Sequence, residues 1–115
     1  MSTLNIDAAL KSLGGNKKLL NKVMIKFIDG YEQADKVLLE HLTKGEIAEA
    51  ERYTHTLKGL AGTIGADDFR EQLTTLEAAL HAGQSIDDSV TMAKNISPIL
   101  KQVIEDCRSI SQTLA

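Results

Sequence analysis

The 115-residue sequence predicts an all-α fold, an antiparallel up-down four-helix bundle with a short additional N-terminal helix. Three observations predict it. Apolar residues recur at three- and four-residue spacing along most of the chain, the pattern of helices that bury one stripe. Aromatic residues make up only 3% and tryptophan is absent, so the core must be aliphatic. Proline occurs once and the glycines fall mostly between periodic segments, which leaves long helices joined by short turns. A hydrophobic content of 43% supports a packed core, and no repeat, low-complexity segment or linker divides the chain. Residues 1–115 therefore read as one domain.

Five helical segments follow in order. The first runs from about Ile6 to Leu13, with Asn5 as its cap and Gly14-Gly15 at its end. The second starts after Asn16 and runs to about Thr43. Its stripe contains Leu19, Leu20, Val23, Phe27, Tyr31, Val37, Leu38 and Leu42, and Gly30 is expected to bend it. Lys44-Gly45 stops it. The third spans Glu46 to about Ile64. The fourth begins at Asp67-Asp68, where acids suit a helix N-terminus, and buries Phe69, Leu73, Leu76 and Leu80 before His81 and Gly83. The fifth starts between Ser85 and Asp88 and reaches the C-terminus. Pro98 is expected to kink or interrupt it, or Ser97 to cap a new helix there, because proline removes a backbone donor and clashes one turn back.

The third segment holds the most informative residue. At about 100° per residue, Ile47, Ala50, Leu57, Ala61 and Ile64 cluster on one side and His55 falls opposite them. Ala48, Glu51, Gly59, Gly62 and Ala66 lie within about 40° of His55, and Lys58 within about 60°. Gly59 and Gly62 lie inside the helix, where each costs on the order of 1 kcal/mol relative to alanine. Such costs beside an exposed histidine suggest that something approaches the backbone closely; tight helix packing is the duller use of the same glycines. Gly65 suits an αL helix terminus.

Net charge is −3 with no basic cluster, which argues against a nucleic-acid partner. No apolar stretch is long enough to span a bilayer, so no direct membrane contact is expected. The N-terminus lacks a signal or transit peptide pattern, so a cytoplasmic setting is expected, free-standing or as a domain of a larger membrane protein. Cys107, the single cysteine, reads as a buried apolar thiol. His41 and His81 fall near helix C-termini and read as structural or solvated. There is no His-x-x-x-His or Cys-x-x-Cys pair, so no metal site is expected. No Gly-x-Ser-x-Gly run is present, and Gly14-Gly15-Asn16-Lys17 lacks the spacing of a nucleotide-phosphate loop. A lone exposed imidazole, with a free pKa of about 6.5, is a nucleophile near pH 7 that can accept a phosphoryl group and hand it on. A lysine one turn away would offset the phosphoryl charge.

His55-Thr56-Leu57-Lys58-Gly59 followed by Gly65-Ala66 resembles the signature of bacterial histidine-containing phosphotransfer (HPt) domains. Leu4-Asn5-Ile6-Asp7-Ala8-Ala9-Leu10 with Gly14-Gly15, and Leu76-Glu77, also look like members of that family. The resemblance implies a bundle without an ATP-binding domain. It implies that His55 takes a phosphoryl group on Nε2 from the aspartyl phosphate of one receiver domain and passes it to another. The receivers would belong to a hybrid sensor kinase and a response regulator, and they would supply the divalent metal, this chain holding no cofactor. Lys58 matches the family's lysine near the phosphoryl group, and Gly59 matches a position kept small for docking. Glu77 stands where some members carry a glutamine that orients the imidazole. A carboxylate there would accept from Nδ1–H and would also repel phosphate. Gly62 is smaller than in many relatives and should open the docking surface further, with Glu51 and Arg52 beside it; a monomer is expected. Two alternatives remain: a bundle that only docks a partner helix, and a sensor-kinase phosphoacceptor hairpin. Thr56 follows the histidine where such hairpins place an acid.

Overall fold

The structure, a computed structural model, describes residues 3–114, so the two ends of the predicted 1–115 domain lie outside the described residues. It contains six helices and no strand among those residues. They are α1 (Ile6–Ser12), α2 (Lys17–Tyr31), α3 (Ala34–Thr43), α4 (Ile47–Thr63), α5 (Asp67–His81) and α6 (Ile86–Leu114). Asn5, Asn16 and Ser85 cap α1, α2 and α6 by accepting from the N–H groups of Ala8, Leu19 and Asp88. These bonds satisfy donors that a helix start leaves open.

The bundle closes as a ring. α4 packs on α3 and α5, and α6 packs on α5, α3 and α2. α2 and α3 together form one side, so α2 and α5 stand at opposite corners. The buried stripes meet in one core that includes Leu20, Met24, Phe27, Leu38, Leu42, Leu57, Leu73, Leu76, Ile96, Leu100 and Val103. Among the described residues, no helix is long and apolar enough to cross a membrane.

Two helix expectations are corrected. The second predicted segment is two helices, and the break falls at Glu32 and Gln33, not at Gly30, which is helical. Neither break residue is a glycine or proline, and the stripe keeps its phase across it, from Leu20, Met24 and Phe27 to Ala34, Leu38 and Leu42. α6 holds both sides: Arg108 pairs with Glu32, and the Ser97 hydroxyl donates to Asp35 Oδ2 at 2.6 Å. The second correction concerns Pro98. α6 runs through it without interruption, and Ser97 caps no new helix. A proline costs about 3 kcal/mol in a helix interior. Burial of Ile96, Leu100, Val103 and Ile104 outweighs this, at about 1.5–3 kcal/mol for each large side chain.

The chain before α1 straps the bundle. Thr3 donates from its backbone N–H and its hydroxyl to Asp106 Oδ2 on α6, both at 2.7 Å, and Leu4 is buried. The Asn5 N–H donates to the Gly65 carbonyl at 2.7 Å, across the α4–α5 turn. Gly65 has φ +75°, and a Cβ there would collide with the Asn5 carbonyl oxygen. Gly45, in the α3–α4 turn, shares φ +75° but faces open space. Gly45→Ala therefore costs only the αL penalty, about 1–2 kcal/mol. Gly65→Ala adds steric conflict and is expected to cost about 3 kcal/mol or more. Urea unfolding of the two variants measures the difference.

Candidate functional site

The α4 sequence places His55 outward because its core stripe is occupied by Ala50, Thr54, Leu57, Ala61 and Ile64, all fully buried. Thr54 is the polar member, and its hydroxyl donates to the Ala50 carbonyl at 2.7 Å, so it does not compete with the site. The His55 side chain is 68% exposed.

Across the α4–α5 groove stands Glu77. Its Oε2 lies 2.6 Å from His55 Nδ1, and its Oε1 accepts from Lys58 Nζ at 2.5 Å. One carboxylate thus ties together two residues of α4 that lie about one turn apart. The Lys58 hydrogen bond holds the Glu77 carboxyl below its ordinary value; partial burial opposes this, and the His55 hydrogen bond adds to it. Glu77 is therefore ionised near neutral pH and is an acceptor only. The short contact then requires the proton on Nδ1, which makes Nε2 the lone-pair nitrogen whenever the ring is neutral.

The other sequence-predicted residues fall around this triad in different ways. Gly59 is exposed, and a Cβ there would meet nothing within 4 Å, so helix packing does not explain it. Gly62 is exposed, and the Arg70 side chain of α5 lies beside it, 3.4 Å from where a Cβ would stand. Ala66 is a correction. α4 ends at Thr63, so Ala66 leaves the wheel and is fully buried. Arg52 and Glu51 line a shallow depression with Ala48, His55 and Glu77.

A further pairing was not anticipated. His81 Nδ1 lies 3.3 Å from Glu51 Oε1. α4 carries Glu51 and His55 four residues apart, and α5 carries Glu77 and His81 four residues apart. Antiparallel packing crosses the two pairs, histidine to glutamate both ways. The repeated Glu-x-x-x-His spacing is the sequence signal that could have revealed it. His41 likewise pairs with a carboxylate, Glu46 at 2.9 Å, and not with helix-end carbonyls. Cys107 is fully buried, and burial, with the nearby Asp106 charge, pushes its thiol up to about 12. Among the described residues, no group of three or more His, Cys, Asp or Glu is arranged to hold a metal ion.

A helical bundle that presents a carboxylate-held imidazole on an open face has the form of a phosphoryl-carrier domain. The sequence model of the Hpt domain matches residues 22–112, and the chain belongs to the Hpt domain family. That family carries phosphoryl groups on histidine within phosphorelays and works with receiver domains; its members are carriers, not kinases. No curated protein matches the chain, and no solved structure does.

The Glu77 bridge has a pH signature. Its folded carboxyl titrates below the unfolded one, so its stabilising contribution is present above the ordinary carboxylate value of about 4.3. It is lost as pH falls through the lower, folded value. Glu77→Gln is thus expected to be less stable than wild type at pH 7, with the gap closing as pH drops through the carboxylate range. Urea unfolding of both proteins across that range measures it.

Proposed function

We propose that His55 is the phosphoacceptor of this domain. Its Nε2 lone pair attacks the phosphorus of an aspartyl phosphate on a receiver domain. The new P–N bond forms as the P–O bond to the aspartate breaks, and the free aspartate carboxylate leaves. The Nδ1 proton stays in its hydrogen bond to Glu77 throughout. Transfer to a second receiver is the reverse of these steps. The observation that carries this reading is a largely exposed ring whose Nδ1 is bound to Glu77.

Lys58 has a second role in this scheme. In the unphosphorylated protein its ammonium neutralises Glu77. A phosphoryl group on Nε2 brings further negative charge within reach of the same ammonium, which then offsets it. Glu77 is the positioning residue: it fixes which nitrogen reacts.

The docking face runs along α4 beside His55. Gly59 leaves room for the receiver, and Glu51, Arg52 and Gly62, beside Arg70, form the surround. The receivers of a hybrid sensor kinase and a response regulator are the partners, and the divalent ion that assists transfer belongs to them. This chain acts as a monomer in the cytoplasm, without ATP-dependent activity of its own.

Purified protein is expected to take up no phosphate from ATP alone and to take it up from a phosphorylated receiver. His55→Gln should abolish uptake. Lys58→Ala should slow it on the order of tenfold, the scale of losing one charged donor. Radiolabel transfer on gels reads all three, and wild-type labelling of His55→Gln would refute the assignment. Gly59→Leu tests the docking face separately. It should leave the unfolding free energy at or above the wild-type value, because an interior helical glycine costs on the order of 1 kcal/mol and a side chain there meets nothing, while blocking transfer from the receiver.

A further inference from the structure

The net charge of −3 hides a division along the chain. Residues 1–28 contain five lysines and a single acid, Asp7, whereas residues 29–115 contain eight basic and fifteen acidic side chains. The fold gathers the basic part onto one helix. Lys17, Lys18, Lys22 and Lys26 all lie on α2 and are all exposed. None of the four has an ion-pair partner among the described residues.

Lys18, Lys22 and Lys26 follow at four-residue spacing, so they form one row. The row faces away from Leu20, Met24 and Phe27, which are fully buried. Of the three large apolar side chains exposed among the described residues, two, Leu19 at 41% and Ile25 at 43%, lie on this helix. At about 100° per residue they flank the lysine row, one on each side. Asp29, also exposed, is the acid at the C-terminal end of the face. The family match begins at residue 22, so Lys17, Lys18 and Leu19 lie outside it.

We infer that the outer face of α2 docks onto an anionic lipid surface. Protein interfaces are depleted in lysine and anchored by arginine, tyrosine and tryptophan, and the exposed face of α2 has none of those anchors, only lysines and aliphatics with Asp29 at its end. A nucleic acid would use the lysines on its phosphates but gives Leu19 and Ile25 nothing to do. An anionic bilayer uses both: the ammonium groups meet the headgroups, and the aliphatic side chains enter the boundary below them. The expectation of no membrane contact rested on the lack of a spanning segment, which does not describe a single helix face. Because α2 and α5 occupy opposite corners, this docking leaves the α4–α5 groove and His55 open. The inference does not depend on the phosphotransfer reading.

Co-sedimentation of the full 115-residue chain with phosphatidylcholine vesicles, with and without phosphatidylglycerol, tests it. Binding is expected only to the anionic vesicles. It should weaken as salt rises from about 0.1 M to 1 M and the screening length falls from about 10 Å to 3 Å. Each lysine near such a surface contributes about fivefold to partitioning, so Lys18→Glu/Lys22→Glu/Lys26→Glu should lower it on the order of a hundredfold. All three positions are exposed, and circular dichroism checks that the variant is folded. Leu19→Ser/Ile25→Ser should reduce vesicle binding while leaving the weaker binding to polyglutamate and duplex DNA unchanged. Equal binding to neutral and anionic vesicles, or wild-type binding by the triple variant, overturns the proposal. So does binding to polyglutamate or DNA as tight as to vesicles with no effect of the Leu19/Ile25 change, which would mark a general polyanion surface.

Discussion

Two oxygens of a single carboxylate organise the α4–α5 groove. Glu77 receives Lys58 on one and His55 on the other, at 2.5 and 2.6 Å. Its consequences are chemical more than energetic. The pair lies near the surface, where ion pairs contribute little to stability. What the bridge supplies is definition: it fixes the proton on Nδ1, holds the ring in one orientation and ties the Lys58 ammonium to the same carboxylate. A histidine without that partner would be free to present either nitrogen.

The rest of the fold serves to bring α4 and α5 into this relation. α5 faces α4 because the turn between them is tight, and that turn is pinned from outside by the strap at residues 3–5. Gly65 sits where the strap crosses, at a position where backbone geometry and lack of space both select glycine. The opposite wall, α2 and α3, is broken at Glu32 and Gln33 and clipped to α6 by Arg108 and Ser97. Chemistry and framework therefore occupy different sides of the bundle.

Much of this was legible in the sequence because it depends on local periodicity. The helix boundaries near Asn5, Asn16, Gly45, Gly65 and Gly83, the outward placement of His55 and the burial of Cys107 all follow from spacing and capping. What was not legible depends on contacts between helices. Glu32 and Gln33 carry no breaker, so a break held by α6 leaves no local trace. Pro98 carries a strong local signal that core packing overrides. A helical wheel of α4 cannot show the Arg70 side chain that arrives beside Gly62 from α5. Ala66 looked exposed because the wheel was continued past the helix end. The crossed pairs of His55 with Glu77 and His81 with Glu51 need the antiparallel register to be seen. The lysines of α2 were averaged away in a total charge of −3.

The central claim is that the Glu77 carboxylate selects the Nδ1-protonated form of His55. Long-range proton–nitrogen correlation spectra of nitrogen-15-labelled protein, taken at mildly alkaline pH, report the two nitrogens separately. The account predicts a protonated Nδ1 and an unprotonated Nε2 for His55 in wild type, with that preference weakened in Glu77→Gln. A ring protonated on Nε2 in the wild-type protein, or one whose tautomer ignores the loss of the carboxylate, would contradict it.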